Sequence, residues 1–183
     1  VGYNGTAHAE GIPVVRLDDC VGPMVPAEDF DDPQSLRDRF TLLGTTGAEP
    51  GAFQGLYAPD LEPGGGEPGN TKQVSLRVPL DAPFFADHFP RRRVFPGTLL
   101  MHASLQTAAM LATEVPADSG GAWVARVISD VKLRTFISPG ETLDLEAKRS
   151  GYTNDSLSVL IESRRGGRLI GSSEVLFHRE VVS

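Results

Sequence analysis

Val74, Leu76 and Val78 alternate with Ser75 and Arg77, the period-two pattern of a strand with one buried face. Some twenty residues on, the pattern changes. Between Gly97 and Thr113, Leu99, Leu100, Ala103, Leu105, Ala108, Ala109, Met110 and Leu111 are apolar around most of a helical circumference, which predicts a helix buried on nearly all sides. Pro96 and Gly97 open it and Pro116 follows its end. After a loop at Asp118–Gly121 come four strand-like runs, at Trp123–Phe136, Thr142–Arg149, Leu157–Arg164 and Arg168–Phe177. Turn chemistry separates the last three from what precedes each: Ser138-Pro139-Gly140-Glu141, Thr153-Asn154-Asp155, and Gly166-Gly167 as a tight hairpin. One long helix followed by a run of antiparallel strands predicts an α+β domain over residues 71–183 in which a sheet wraps the helix.

The first 70 residues are different. They hold 12 Gly and 8 Pro, including Pro63-Gly64-Gly65-Gly66, so much of this stretch is expected to be irregular. Two pieces read as structured: a short edge strand at Ile12–Leu17, and a helix at Pro33–Phe40 with Asp32 as its cap and Pro33 at its first position.

Charge follows the same division. Of a net −7, residues 1–70 contribute 12 acidic and 3 basic side chains, whereas residues 71–183 carry 12 acidic and 14 basic. General nucleic-acid binding is not indicated by this balance, while the mildly basic second part suits an acidic partner. No apolar run approaches the ~20 residues of a membrane helix, and the amino terminus lacks a basic-then-apolar leader, so the expected location is cytoplasmic. Cys20 is the single cysteine, which excludes an intrachain disulfide.

The informative stretch runs from Pro83 through Phe84-Phe85-Ala86-Asp87-His88-Phe89-Pro90-Arg91-Arg92-Arg93-Val94-Phe95-Pro96-Gly97 to Gln106. It resembles the β-hydroxyacyl-carrier-protein dehydratases of fatty acid and polyketide synthesis, whose hallmark reads approximately P-F-F-x-G-H-F-P-x-x-P-V-x-P-G-x-L-x-x-(E/D)-A-x-x-Q. The resemblance continues through Val131–Phe136 and Pro139-Gly140-Glu141 and covers residues 72–178. Ile12–Cys20 looks only faintly like the family's first strand. The resemblance implies a hotdog fold, assembled as a homodimer or as a heterodimer with a related subunit, with active sites between protomers.

Residue by residue, the resemblance makes His88 the base that removes a proton from C2 of an acyl thioester. A histidine, with an ordinary pKa of ~6.5, is suited to that task. Gly97 matches the residue whose backbone N–H faces the thioester carbonyl, and a helix amino terminus does offer free donors to a developing oxyanion. Phe89, Phe95, Pro96 and Gln106 fall at positions expected to contact substrate. Arg91, Arg92 and Arg93, with Lys132 and Arg134 on a neighbouring strand, form a basic cluster suited to an acidic carrier protein, or to CoA, delivering substrate on a phosphopantetheine arm. The same arginines also read as an ordinary solvated charge cluster.

Three positions depart from the pattern. Asp87 replaces a glycine and Arg93 a proline. His102 stands where the family has the Glu or Asp that protonates the departing hydroxyl, and this change leaves several readings open. An imidazolium there still supports dehydration. A neutral imidazole leaves one base and one oxyanion donor, enough to shift a double bond in a 2-enoyl thioester. An inactive subunit lending its fold to a partner is a third possibility, and thioester hydrolysis a fourth. No nucleotide-binding glycine pattern, metal-ligand spacing or nucleophile elbow is present in the sequence, so no cofactor is expected beyond the carrier arm of the substrate.

Overall fold

The computed structural model describes residues 1–47, 58–116 and 121–181, and the expected loop at Asp118–Gly121 lies outside these up to its final residue. The chain divides into two units, Val1–Gly47 and Ala48–Ser183.

In the first unit, β1 (Gly2–Ala9) and β2 (Ile12–Val21) form an antiparallel hairpin. Its turn residues Glu10 and Gly11 have φ of 52° and 80°, the doubly positive conformation that matches the twist of a two-residue hairpin. β2 contains the expected strand, but it pairs with β1 in a sheet of two strands and does not join the larger sheet. Helix α1 (Pro33–Thr45) begins where the sequence places it, with the Asp32 carboxylate accepting the Ser35 amide at 2.9 Å, and runs five residues past Phe40.

In the second unit, β3 (Asp60–Pro63), β4 (Thr71–Arg77), β5 (Gly121–Leu133), β6 (Thr142–Tyr152), β7 (Ser156–Arg165) and β8 (Arg168–Val181) form one antiparallel sheet in the order β3-β4-β6-β7-β8-β5. Alternation decides which side faces inward. Val74 and Leu76 of β4, Leu143, Leu145 and Ala147 of β6, Leu157, Val159 and Ile161 of β7, and Val175 and Phe177 of β8 are all buried. Gly166 and Gly167, at φ of 54° and 80°, close the β7–β8 hairpin as its sequence predicts. The expected strand at Trp123–Phe136 ends earlier, at Leu133, and its register slips between Ser129 and Lys132, where Asp130 takes a positive φ of 50°.

Helix α2 spans Gly97–Thr113, the expected bounds, and lies against the sheet's inner face. Its buried stripe is Leu100, Ala103, Ser104, Thr107, Ala108, Leu111 and Ala112. Burial on nearly all sides is not what the chain achieves: His102 is exposed, and Leu99, Leu105, Gln106, Ala109 and Met110 are half-buried, because the sheet of one chain covers one face of the helix. The core lies between α2 and the sheet, where each large apolar side chain contributes about 1.5–3 kcal/mol. This is the hotdog arrangement.

The last turn of α2 is tied to the sheet by Glu114, which accepts from Lys72 Nζ at 2.6 Å and from the Gly69 amide at 3.2 Å. The Lys72 ammonium, and then the Gly69 amide, hold the Glu114 carboxyl below its ordinary value of 4.5. A carboxyl whose pKa is lowered by folding stabilises the fold above its unfolded value, and that contribution disappears as pH falls through the lowered one. The melting temperature of the wild type is therefore expected to fall more steeply than that of Glu114→Gln as pH drops from about 5 to about 3. Parallel curves in thermal denaturation would show that the pair does not contribute.

Candidate active site

The loop before α2 is closed by its own backbone. Pro83 opens a single 3-10 turn, Pro83–Ala86, and Phe85 plugs into the core. Phe84 packs on Phe85 and edge-on against Phe95, with ring centroids 4.5 and 6.0 Å apart. The His88 amide donates to Phe84 O at 2.9 Å, and the Val94 amide donates to His88 O at 2.9 Å. Between them Phe89 and Arg92 exchange backbone hydrogen bonds across a tight turn. The His88–Phe89 peptide bond is cis, and the two rings stack 4.3 Å apart.

His88 thus sits at the neck of a short loop, with Nδ1 3.0 Å from the carbonyl oxygen of Val94. A carbonyl only accepts, so this bond requires the hydrogen on Nδ1. The neutral ring then carries its lone pair on Nε2, the form a general base needs.

Val94 leads directly into the helix. The Phe95 amide donates to Ile137 O at 2.8 Å, anchoring the chain to the segment that follows β5. The Pro96 carbonyl accepts from Leu99 and Leu100, and among the described residues the Gly97 amide donates to none. A free donor therefore stands at the positive end of a 17-residue helix, three residues from the carbonyl that orients His88. The approach here is close: a Cβ on Gly97 would collide with Cδ1 of Leu133 on β5, so a larger residue requires that exposed side chain to shift.

The other sequence-predicted residues are distributed around this centre. Pro96 and Phe95 are buried, Phe95 within the core, and Phe89 is half-buried against His88. His102 is exposed and makes no hydrogen bond among the described residues; it is displaced from Gly97 by about 7.5 Å along the helix and about 140° around it. Gln106 follows Gly97 by nine residues, two and a half turns, which puts it on the opposite face of α2. There it borders a groove of about 700 Å³ together with Leu61, Lys72, Met110 and Glu114, and its Oε1 is buried without a hydrogen-bond partner among the described residues.

The basic residues all reach the surface. Arg91, Arg92 and Arg93 lie at the loop tip, Arg92 over the Phe136 ring at 5.0 Å and Arg93 paired with Asp81 at 3.1 Å. Lys132 and Arg134 are exposed at the end of β5, two to four residues from Phe136, so the Arg92–Phe136 contact links the arginine run to them. Asp87 is also exposed. Two participants escape sequence reading: the Val94 carbonyl, a backbone group with no side-chain signature, and Leu133, whose contact with Gly97 exists only once β5 lies beside the helix. Among the described residues, no three His, Cys, Asp or Glu side chains converge as a metal site.

The chain is 35% identical over 82 residues to the 3-hydroxyacyl-[acyl-carrier-protein] dehydratase FabZ of Roseiflexus sp. (strain RS-1), covering 45% of this chain and 57% of that one. It is likewise 35% identical over 82 residues to FabZ of Acetivibrio thermocellus, covering 45% and 56%. The chain thus spans little more than half the length of these curated relatives. Among solved structures, it superposes on S. sahachiroi AziG with a TM-score of 0.56 at 14% identity, covering 67% of this chain and 92% of that one. A thioesterase from Haemophilus influenzae matches with a TM-score of 0.54 at 11% identity, covering 66% and 78%. At such identities these two show the hotdog fold alone. Residues 66–168, more than half of the chain, match the model described as ApeI-like, ApeI dehydratase, and the protein belongs to that family.

Proposed function

We propose that this chain dehydrates 3-hydroxyacyl thioesters, carried on an acyl carrier protein. The observation that supports this most directly is the bond from His88 Nδ1 to the Val94 carbonyl, which leaves Nε2 as a free base close in sequence to the unpaired Gly97 amide. Nε2 takes the proton from C2 while the Gly97 N–H holds the thioester oxygen as negative charge builds there. The C3–O bond then breaks with the C2–C3 double bond forming, and the departing hydroxyl leaves as water on receiving a proton. His102 supplies that proton as an imidazolium. Its exposure and its angle from Gly97 favour delivery from a second copy, so that each site of a homodimer pairs His88 with the partner's His102. The cluster of Arg91, Arg92, Lys132 and Arg134 suits the acidic surface of a carrier protein.

A second reading draws on one feature of α2: its 17 residues include no carboxylate. With His102 neutral, His88 alone moves a proton from C4 to C2 of a 2-enoyl thioester, shifting the double bond. Chromatography and mass spectrometry after incubation with each carrier-bound thioester separate these readings. Loss of water from the 3-hydroxyacyl substrate is expected; a migrated double bond from the 2-enoyl substrate alone would establish the isomerase, and no change in either would leave a helper subunit.

Three further results are expected. Nitrogen-15 NMR of the neutral His88 ring will show the hydrogen on Nδ1, and a hydrogen on Nε2 would remove the basis for its role as base. His88→Ala will lower kcat/KM at least about a hundredfold, the usual contribution of a general base; full activity would sink the assignment. His102→Glu will raise the rate of water loss about tenfold, whereas a lower rate would mean that the imidazolium is itself matched to the site.

A further inference from the structure

We infer that Arg92 and Arg93 are positioning residues, side-chain tethers that hold the loop carrying His88 to two fixed stretches of chain. The inference deepens the proposed dehydration and rests on its use of His88 as the base; it gives these arginines a task that needs no carrier protein.

The loop is closed by its own backbone, which sets its shape but not its place. His88 and Val94 are bonded across the neck, and Phe89 and Arg92 pair their backbone groups with each other, N to O in both directions. Side chains then link the loop to its surroundings. Arg93 Nη1 donates to Asp81 Oδ1 at 3.1 Å, and the Arg92 guanidinium lies 5.0 Å from the centre of the Phe136 ring, within cation–π range. Both receiving residues stand on anchored chain. Asp81 follows β4, where the Val78 amide donates to Glu141 O at 2.9 Å and the Gly140 amide donates to Val78 O at 3.2 Å. Phe136 lies between Arg134, whose amide donates to Ile170 O of β8 at 2.9 Å, and Ile137, whose carbonyl accepts the Phe95 amide at 2.8 Å.

Arg93 immediately precedes Val94, and the Val94 carbonyl is the group that takes the Nδ1 hydrogen of His88. A loop free to tilt about its neck would carry that carbonyl, and the ring with it, away from the thioester, and an error of about 1 Å in such placement can cost about a hundredfold in rate. The two contacts are made within one chain, so a second copy that completes the site does not have to supply them. Both are exposed and individually weak, as surface ion pairs and cation–π contacts are, so losing one is expected to be felt less than losing both. Position 93 offers an independent check. The Arg93 amide donates no backbone hydrogen bond among the described residues, so a proline there would break none while restricting the backbone directly. The tether and the ring are two ways to stiffen the same point.

The test measures kcat and KM for 3-hydroxyhexanoyl pantetheine, and for the same acyl group on an acyl carrier protein, in the wild type, Asp81→Ala, Arg92→Ala, Arg93→Ala, the double arginine variant and Arg93→Pro. Each single alanine variant is expected to lower kcat about threefold and the double arginine variant at least about tenfold, on both substrates alike, with KM for the pantetheine thioester unchanged. Arg93→Pro is expected to recover kcat to within about twofold of the wild type, although it removes the same charge. A wild-type kcat in the double variant, with KM raised on the carrier-bound substrate alone, would make the arginines docking groups and overturn the inference while leaving dehydration intact. So would a wild-type kcat in Asp81→Ala beside a lowered one in Arg93→Ala, or an Arg93→Pro variant, folded by circular dichroism, that is no better than Arg93→Ala. If the wild type dehydrates neither thioester, the proposed function fails, and exchange of the His88 Nδ1 hydrogen with solvent, read by NMR, decides the tethers separately. Exchange at least about tenfold faster in the double variant supports them, and an equal rate overturns them.

Discussion

The close seating of α2 on the curved sheet is the constraint from which the rest follows. Five of its seven buried positions are small or short, Ala103, Ser104, Thr107, Ala108 and Ala112, and these let the helix backbone approach the strands while Leu100 and Leu111 fill the layer between. A helix held this way has its amino terminus fixed in space. The sequence Val94-Phe95-Pro96-Gly97 must then arrive at one point, and the Phe95–Ile137 backbone bond pins that arrival to the segment between β5 and β6. Site geometry is therefore a consequence of helix packing: the free Gly97 amide and the carbonyl that orients His88 lie on one short, anchored stretch of chain.

The same seating explains what remains exposed. A single sheet covers one face of a helix that is apolar over most of its circumference, so Leu105, Ala109 and Met110 are left half-buried, and His102 lies on the surface. This uncovered apolar face is what the second copy in the proposed homodimer would cover. The edge strand β5 adds to this picture, with Val127, Val131 and Leu133 exposed along a strand that, among the described residues, pairs only with β8.

Elements with strong periodicity were legible from residues alone. The bounds of α2 follow from Pro96, Gly97 and an apolar run, and β4, β6, β7 and β8 from alternation broken by explicit turns. What escaped reading has weak local signal. β1 is Gly-Tyr-Asn-Gly-Thr-Ala-His-Ala, with little β-branched or alternating character, and β3 is four residues of a Gly/Pro-rich stretch whose pairing with β4 is tertiary. β5 looked longer than it is because nothing in Arg134-Thr135-Phe136 marks the point where the chain leaves the sheet. In the candidate site, His88 and Gly97 stand out through their motif. The Val94 carbonyl, the closeness of Leu133 to Gly97 and the position of Gln106 across the helix emerge only when register and helical phase are known.

In the proposed reaction His88 exchanges a proton at C2 of a thioester whose oxygen rests on the Gly97 amide. The most direct test is incubation of the protein with a 2-enoyl thioester in deuterated water, followed by NMR of the products. Hydration, by reversal of dehydration, is expected, with one deuterium at C2 of the 3-hydroxyacyl product and none when His88 is replaced by Ala. Deuterium appearing at C2 at the same rate in that variant, or a hydrated product without deuterium at C2, would contradict it.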